Sequence, residues 1–72
     1  MMKNFGIVTE YNGVFGNILG LDGINYVLLD KNVIDKNINK GDHVNFEGEI
    51  VQKFDITTNI ARFIKKQEKS IE

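Results

Sequence analysis

The stretch from Gly16 to Asp30, GNILGLDGINYVLLD, constrains the fold most because it reads as two β-strands joined at Asp22-Gly23. An Asp-Gly pair supplies the positive φ angles that a tight two-residue hairpin turn requires, and apolar residues lie on both sides of it. The sequence therefore predicts a β-hairpin here. In small five-stranded barrels the second and third strands form the exposed face that usually meets a ligand, so this hairpin also bears on function.

The chain has 72 residues, with no cysteine and no proline. A single domain of this size buries only about 60% of the surface of its unfolded chain, so its sheet must close or the chain must oligomerise. Without cysteine, neither a disulfide nor a thiolate zinc site is possible, which favours a reducing compartment. No segment has the length and hydrophobicity of a membrane span or a secretory signal. We therefore expect a bacterial-type cytoplasmic location and no membrane partner.

The charge of the chain is nearly balanced but unevenly distributed. The formal net charge is −1, which argues against phosphate neutralisation as the main source of binding affinity. Residues 1–30 carry one lysine against three acidic residues, a net of −2, whereas residues 61–72 carry four basic residues against two acidic ones, a net of +2. Any basic surface is therefore expected at the C-terminal end.

Apolar alternation and turn signals divide the chain into five short strands. The predicted strands are residues 5–12, 15–21, 26–29, 43–50 and 60–64. A polar connector over 31–40 is expected to hold one helical turn, with Val33, Ile34 and Ile38 capping the barrel, and 51–59 is expected to be a hairpin loop. The longest connector lies between strands three and four, as in an OB-fold. We therefore predict one all-β domain over 1–66, a five-stranded Greek-key OB-fold barrel, and a charged tail over 67–72.

Four segments of the chain match a set of known sequence motifs. The pattern G-x-V-x-x-F-N is matched by GIVTEYN at 6–12, the motif K-G-F-G-F-I by GVFGNI at 13–18, and the motif V-F-V-H-F by VLLDK at 27–31. A later L-x-x-G-x-x-V-x-F pattern falls on Ile38, Gly41, Val44 and Phe46. In these motifs residues 6–64 resemble the cold-shock domain family, in which the second and third are RNA-binding motifs. The resemblance implies a non-enzymatic module that binds single-stranded RNA or DNA with little sequence preference.

Most stacking aromatics of that family are replaced in this chain. Their positions carry Glu10, Asn17, Leu28, Asp30 and Lys31, whereas Tyr11 and Phe15 remain. Aromatic stacking contributes roughly 1–3 kcal/mol per base, so the resemblance implies weak binding.

Strand alternation suggests which side chains would meet the nucleic acid. If Ile18, Val27 and Leu29 fill the barrel, the outer platform consists of Tyr11, Phe15, Asn17, Leu28 and Lys31. The resemblance then implies that Tyr11, Phe15 and Lys31 stack on or contact bases and that Asn17 bonds a base edge. Arg62 and Lys65 are the candidate phosphate contacts.

Three alternatives remain open from the sequence. Leu28 beside Phe15 and Tyr11 would also make an apolar patch, which suits a protein partner or a weak dimer. The two aromatic rings could instead simply cover a thin core. Finally, GNILGLD at 16–22 is similar to the G-x-L-x-G-F-D pattern of Sm-like RNA-binding proteins.

Catalytic and metal chemistry have no support in the sequence. His43 is the sole histidine and Ser70 the sole serine, so no nucleophile, base and oxyanion site can be combined. The carboxylates of Asp30, Asp35 and Asp42 match no calcium-loop spacing. We therefore predict no enzymatic activity, no cofactor and no metal site.

Overall fold

Five β-strands make up most of the structure, a computed structural model that describes residues 1–35 and 37–67. The strands are β1 (Met2–Tyr11), β2 (Phe15–Gly20), β3 (Asn25–Leu29), β4 (His43–Lys53) and β5 (Ile56–Lys66), and a short 3₁₀ helix spans Asp30–Asn32. The predicted hairpin loop over 51–59 is wrong. The two last strands run through that segment and leave a two-residue turn at Phe54-Asp55, whose φ angles are 50° and 65°.

The sheet closes into a barrel in the order β1-β2-β3-β5-β4. All neighbouring strands are antiparallel except β3 and β5, which are parallel at Val27 and Ile60. This is the strand order of an OB-fold, so the prediction of an all-β, five-stranded Greek-key barrel is confirmed. Closure gives each of the five strands two neighbours, which suits a small domain with a thin core, whereas the outer part of the β4–β5 hairpin pairs only with itself.

Closure depends on β1, which pairs with two different strands. Its N-terminal part pairs with β4 and its C-terminal part with β2, and Gly6 belongs to both ladders, opposite Val44 and opposite Gly20. A Cβ atom at Gly6 would lie 2.5 Å from the carbonyl oxygen of Leu19. Glycine is therefore required here, because the strand coils so tightly that no side chain fits.

Ten side chains form the core of the barrel. They are Val8, Ile18, Tyr26, Leu28, Val33, Ile38, Val44, Phe46, Ala61 and Ile64. The rings of Tyr26 and Phe46 meet edge to face, with centroids 4.9 Å apart. Val33 and Ile38, both from the connector, are buried, whereas Ile34 is exposed, so two of the three predicted capping residues cover the barrel's end.

The inward face of β3 is the opposite of the predicted one. Leu28 is fully buried, whereas Val27 and Leu29 are only half-buried. The ladder explains this, because Phe15 is paired with Leu29 and Asn17 with Val27, and cross-strand partners share a face of the sheet. The four consecutive apolar residues over 26–29 show no alternation from which the inward face can be determined. The prediction that Leu28 lies on the outer platform is therefore wrong.

The hairpin between β2 and β3 exists, but its turn is longer than two residues. Residues 21–24 form the loop, and Gly23 alone among them has a positive φ, 82°. The Asp22 carboxylate accepts a hydrogen bond from the Ile24 amide at 3.0 Å, and the Gly20 amide donates to the Ile24 carbonyl at 2.8 Å. The Asp-Gly pair thus shapes a four-residue turn.

Asp22 also joins this turn to the end of the barrel. Its Oδ2 accepts hydrogen bonds from the Tyr26 hydroxyl at 2.6 Å and from the Asn4 side-chain Nδ2 at 2.8 Å. The bond from Tyr26 is the main cause that lowers the pKa of Asp22 below its ordinary value of 3.8. The same bond, followed by burial, raises the pKa of Tyr26 above 10.0.

The C-terminal end of the described chain lies against β4, where the Gln67 amide donates to the His43 carbonyl at 2.8 Å. The rest of the predicted tail, 68–72, lies outside the described residues. Within residues 1–35 and 37–67, no helix has the length and apolar character needed to cross a bilayer.

The assignment of the β3 faces can be tested by truncating neighbouring residues. We expect Leu28→Ala to lower the free energy of unfolding by about 2.7–5 kcal/mol, because it leaves a cavity in the core. Val27→Ala, on the half-buried outer side, is expected to cost about 1 kcal/mol or less. Urea denaturation followed by circular dichroism measures both. A larger loss for Val27→Ala than for Leu28→Ala would contradict the assignment.

The Asp22 network predicts a pH-dependent stability. Because the folded-state pKa of Asp22 is lowered, its stabilising contribution is present above 3.8 and is lost as the pH falls through the folded-state pKa. The stability gap between the wild type and Asp22→Asn should therefore be largest near neutral pH and should shrink in strong acid. Urea unfolding of both proteins at a series of pH values measures the gap, and a gap independent of pH would contradict this role.

Candidate nucleic-acid interface

The outer surface of β2 and β3 carries the best candidate interface, here called the Phe15 face and defined by Phe15, Asn17, Val27 and Leu29. These residues form two cross-strand pairs on the side opposite the core. The Phe15 side chain is 58% exposed, and the other three are half-buried. The face thus presents one free aromatic ring above an apolar floor.

The turn before β2 fixes the position of Phe15. The Asn12 Oδ1 accepts hydrogen bonds from the amides of Val14, at 2.9 Å, and Phe15, at 3.0 Å. Gly13, directly after Asn12, has a φ of 92°, which a residue with a side chain rarely adopts. The Asn12-Gly13 turn predicted from the sequence therefore holds Phe15 at the start of its strand.

Asn17 is held at the centre of the face by two neighbours. Its Nδ2 donates to Thr9 Oγ1 and to Asn25 Oδ1, both at 2.8 Å, so both amide protons are used within the protein. Thr9 in turn donates to the Asn17 carbonyl at 3.2 Å. Among the described residues no donor contacts the Asn17 Oδ1, which leaves a positioned acceptor for an N–H group of a ligand.

Tyr11 does not lie on the Phe15 face, and the prediction that it does is wrong. It pairs with Gly16, between the two outward residues of β2, and its ring packs against the core. Its hydroxyl donates to Asp30 Oδ1 at 3.0 Å. Burial, and then this hydrogen bond, raise the pKa of Tyr11 above 10.0. Tyr11 therefore covers one end of the barrel, as the thin-core alternative anticipated.

A β-bulge explains why alternation failed for Tyr11. The β1·β2 register shifts between Val8 and Glu10, so that Glu10 pairs with Asn17. The extra residue reverses the direction of every later side chain in β1. It brings Glu10 to the Phe15 face in place of Tyr11, and a bulge leaves no reliable mark in a single sequence.

Of the predicted basic contacts, Arg62 lies beside the Phe15 face. It is two residues past Ile60, the β5 partner of Val27, which places it next to Leu29. Its Nε donates to Glu49 Oε1 at 2.6 Å, and its Nη1 donates to Asn32 Oδ1 at 3.4 Å. A phosphate would therefore share this guanidinium with a carboxylate.

Lys65 lies on a different face of the barrel. It pairs with Asn45 on β4, and Asn45 pairs with Phe5 on β1. This row shares no residue with the Phe15 face. The sequence-based set of contacts therefore splits into two, with Phe15, Asn17 and Arg62 on one side and Lys65 on the other.

Charges around the Phe15 face are few and largely balanced. Glu10 lies 3.6 Å from Lys40, both well exposed, and Asp30 accepts the bond from Tyr11. Lys31 is exposed in the 3₁₀ turn directly after β3, and within the described part of the chain it has no ion-pair partner. The interface is therefore aromatic, apolar and amide-rich, with little net positive charge.

Sequence reasoning missed Val27 and Leu29, which it had placed inside the barrel. The correct face could be inferred only from the ladder with β2. Conversely, the burial of Leu28 removes the centre of the apolar patch formed by Tyr11, Phe15 and Leu28 that was the predicted site for a protein partner.

The carboxylates of Asp35 and Asp42 bond to nearby groups of the protein. Asp42 accepts a hydrogen bond from the Asn39 amide at 2.8 Å and lies 3.6 Å from Lys66 Nζ. Asp35 accepts a bond from the Asn37 amide at 3.1 Å. In the described ranges no three His, Cys, Asp or Glu side chains are grouped as metal ligands would be. Ser70 lies outside these ranges.

Comparison with known proteins assigns no family to the chain. No protein-family model matches the chain, and no curated protein matches it. The likeness to cold-shock domains therefore stays a prediction from the residues, whereas the closed five-stranded barrel is observed.

Proposed function

We propose that the protein is a non-enzymatic binding module for single-stranded nucleic acid, RNA or DNA, and that the Phe15 face is its binding surface. The observation that carries the proposal is the 58% exposed ring of Phe15 on β2 of a barrel with OB-fold strand order. In such barrels the surface of strands two and three meets oligonucleotides. An exposed aromatic ring can stack on any base because every base has a π-face.

The other side chains of the Phe15 face could add apolar contact and one hydrogen bond to the stacked base. Val27 and Leu29 form an apolar floor beside the ring, and the Asn17 Oδ1 can accept a hydrogen bond from a base N–H. Lys31 and Arg62 lie at the edge, where a phosphate chain would pass. One stacked base contributes roughly 1–3 kcal/mol and the apolar and phosphate contacts add little, so we expect a dissociation constant on the order of 10⁻³ M, which is about −4 kcal/mol, and little sequence preference.

The small number of aromatic rings on the Phe15 face supports weak binding. Val27 and Leu29, the partners of Asn17 and Phe15 on β3, are aliphatic and give a base no ring to stack on. We place this activity in the cytoplasm, since the chain has no cysteine.

Replacing the ring of Phe15 tests the proposal directly. We expect Phe15→Ala to weaken binding to oligo-dT or oligo-U by about five-fold or more at low salt, since it removes 1–3 kcal/mol of stacking. Fluorescence anisotropy of a labelled oligonucleotide measures the affinity. Phe63→Ala is the matched control. Phe63 is a 52% exposed ring on β5, directly after Arg62 where the β4·β5 register shifts, and it is not part of the Phe15 face. Equal affinities for the wild type and a folded Phe15→Ala would refute the proposal.

Salt dependence separates stacking from phosphate neutralisation. A single-stranded ligand loses affinity with a slope of about −0.7 in log K against log salt for each phosphate neutralised. With Lys31 and Arg62 as the contacts, we expect a slope no steeper than about −1.4. Titrations between 20 and about 200 mM salt measure it. A slope near −3 would mean that further cations neutralise the phosphates, and it would contradict the assignment of the Phe15 face as the binding surface.

A further inference from the structure

An open cleft of about 370 Å³ crosses β4 between β1 and β5, and its lining contains no residue of the Phe15 face. It is here called the Phe63 cleft, and its lining includes Lys3, Phe5, Asn45, Glu47, Phe63 and Lys65. Phe5 pairs with Asn45, which pairs in turn with Lys65. The cleft therefore has β4 as its floor and side chains of β1 and β5 as its two walls.

Two phenyl rings stand on opposite walls of this cleft. Phe5 on β1 is 47% exposed, and Phe63 on β5 is 52% exposed. Both strands neighbour β4, so their backbones lie about 10 Å apart. Carbon atoms in contact are about 3.5–4 Å apart, so a flat ring between two others needs a gap of about 7–8 Å. The spacing of the walls thus suits one planar aromatic ring.

Phe63 reaches its wall through a β-bulge in a strained conformation. The β4·β5 register shifts between Asn45 and Glu47, so that Phe63 and Ile64 both face Phe46. Ile64 is fully buried, whereas Phe63 turns outward with a φ of 53°. Glycine suits such a bulge position, and a bulky side chain there is strained. Strain of this kind is concentrated at ligand sites, where a bulge redirects a side chain toward the ligand.

The floor of the cleft carries a hydrogen-bond acceptor without a donor. The Oδ1 of Asn45 is buried, and among the described residues no group donates to it. A buried acceptor that lacks its hydrogen bond is destabilising, and nearly all such groups in proteins have a partner. An N–H group on a ligand in the cleft would supply the missing bond. The ligand is therefore expected to carry an N–H on its ring.

The charges of the cleft favour a ligand with a single negative charge. Lys3 and Lys65 are exposed, and neither has an ion-pair partner within the described part of the chain. Glu47 lies between them on β4, so two lysines against one glutamate give the lining a net charge of +1. One carboxylate matches this charge. A chain of phosphates would bring several negative charges next to Glu47, which is unfavourable.

We propose that the Phe63 cleft binds a small aromatic monocarboxylate whose ring carries an N–H, a class represented by indole-3-acetate. Its ring lies between Phe5 and Phe63, and its N–H donates to the Asn45 Oδ1. Its carboxylate meets the ammonium group of Lys3 or Lys65. A ligand of this size makes few contacts, so we expect a dissociation constant on the order of 10⁻³ M. This site is independent of the proposed nucleic-acid interface.

An amide-shift NMR titration of the full chain with indole-3-acetate, up to about 10 mM, tests the proposal. We expect saturable shifts at Phe5, Asn45, Phe63 and Lys65. Naphthalene-1-acetate has a similar shape and the same charge but no N–H, so it should bind about five-fold more weakly. Oligo-U should leave these four amides unshifted. No saturable shifts at the cleft, equal affinities for the two acids, or oligo-U shifts at the same amides would each overturn the proposal.

Phe63→Gly tests the role of the strained ring. It removes one wall of the cleft, and glycine readily adopts the φ of 53°, so the variant should fold and bind indole-3-acetate at least five-fold more weakly. Phe5→Ala removes the other wall, with the same expected effect. Phe54→Gly is the matched control, because Phe54 is a 94% exposed ring with a φ of 50° outside the cleft lining. Unchanged binding by the two cleft variants, or an equal loss in Phe54→Gly, would overturn the proposal.

Discussion

The double pairing of β1 is the constraint on which the rest of the structure depends. One strand closes the barrel by binding β4 with its first half and β2 with its second, and Gly6 lies where the two ladders overlap. The backbone is too close there for a side chain. Closure in turn defines one small interior, filled by ten side chains, and leaves many large apolar residues of the described chain exposed, Phe15 among them. The exposed ring of the candidate interface is a consequence of this thin core.

The β-bulge in β1 divides the outward surface of β1 and β2 into two parts. Before it, Phe5 and Ile7 point outward; after it, Tyr11 turns toward the core and Glu10 takes the outward position opposite Asn17. Along β1 and β2 the outward side chains therefore change from Phe5, Ile7 and Leu19 to Glu10, Asn17 and Phe15. The end with Phe15, Asn17 and a few balanced charges suits a base and its phosphates.

The sequence predicted the fold well because the turn residues and apolar alternation of β1, β2 and β4 act locally. It predicted the site poorly wherever a side chain's direction depends on a partner strand. Leu28 lies in the run of four apolar residues over 26–29, so its inward orientation is determined by pairing with β2. Tyr11 follows a bulge, and Lys65 is carried away from Phe15 by the course of β5 around the barrel. Phe15 and Asn17 were correctly placed because β2 alternates regularly between small or buried and outward residues.

The measurement that tests the account most directly is an amide-shift NMR titration of the isotope-labelled chain with short oligo-dT and oligo-U at low salt. It reports at each residue whether a ligand binds and where. The account predicts shifts that cluster on Phe15, Asn17, Val27 and Leu29, with smaller changes at Lys31 and Arg62. Shifts confined to other surfaces of the barrel, or none at millimolar strand concentration, would contradict the assignment of the Phe15 face as a nucleic-acid interface.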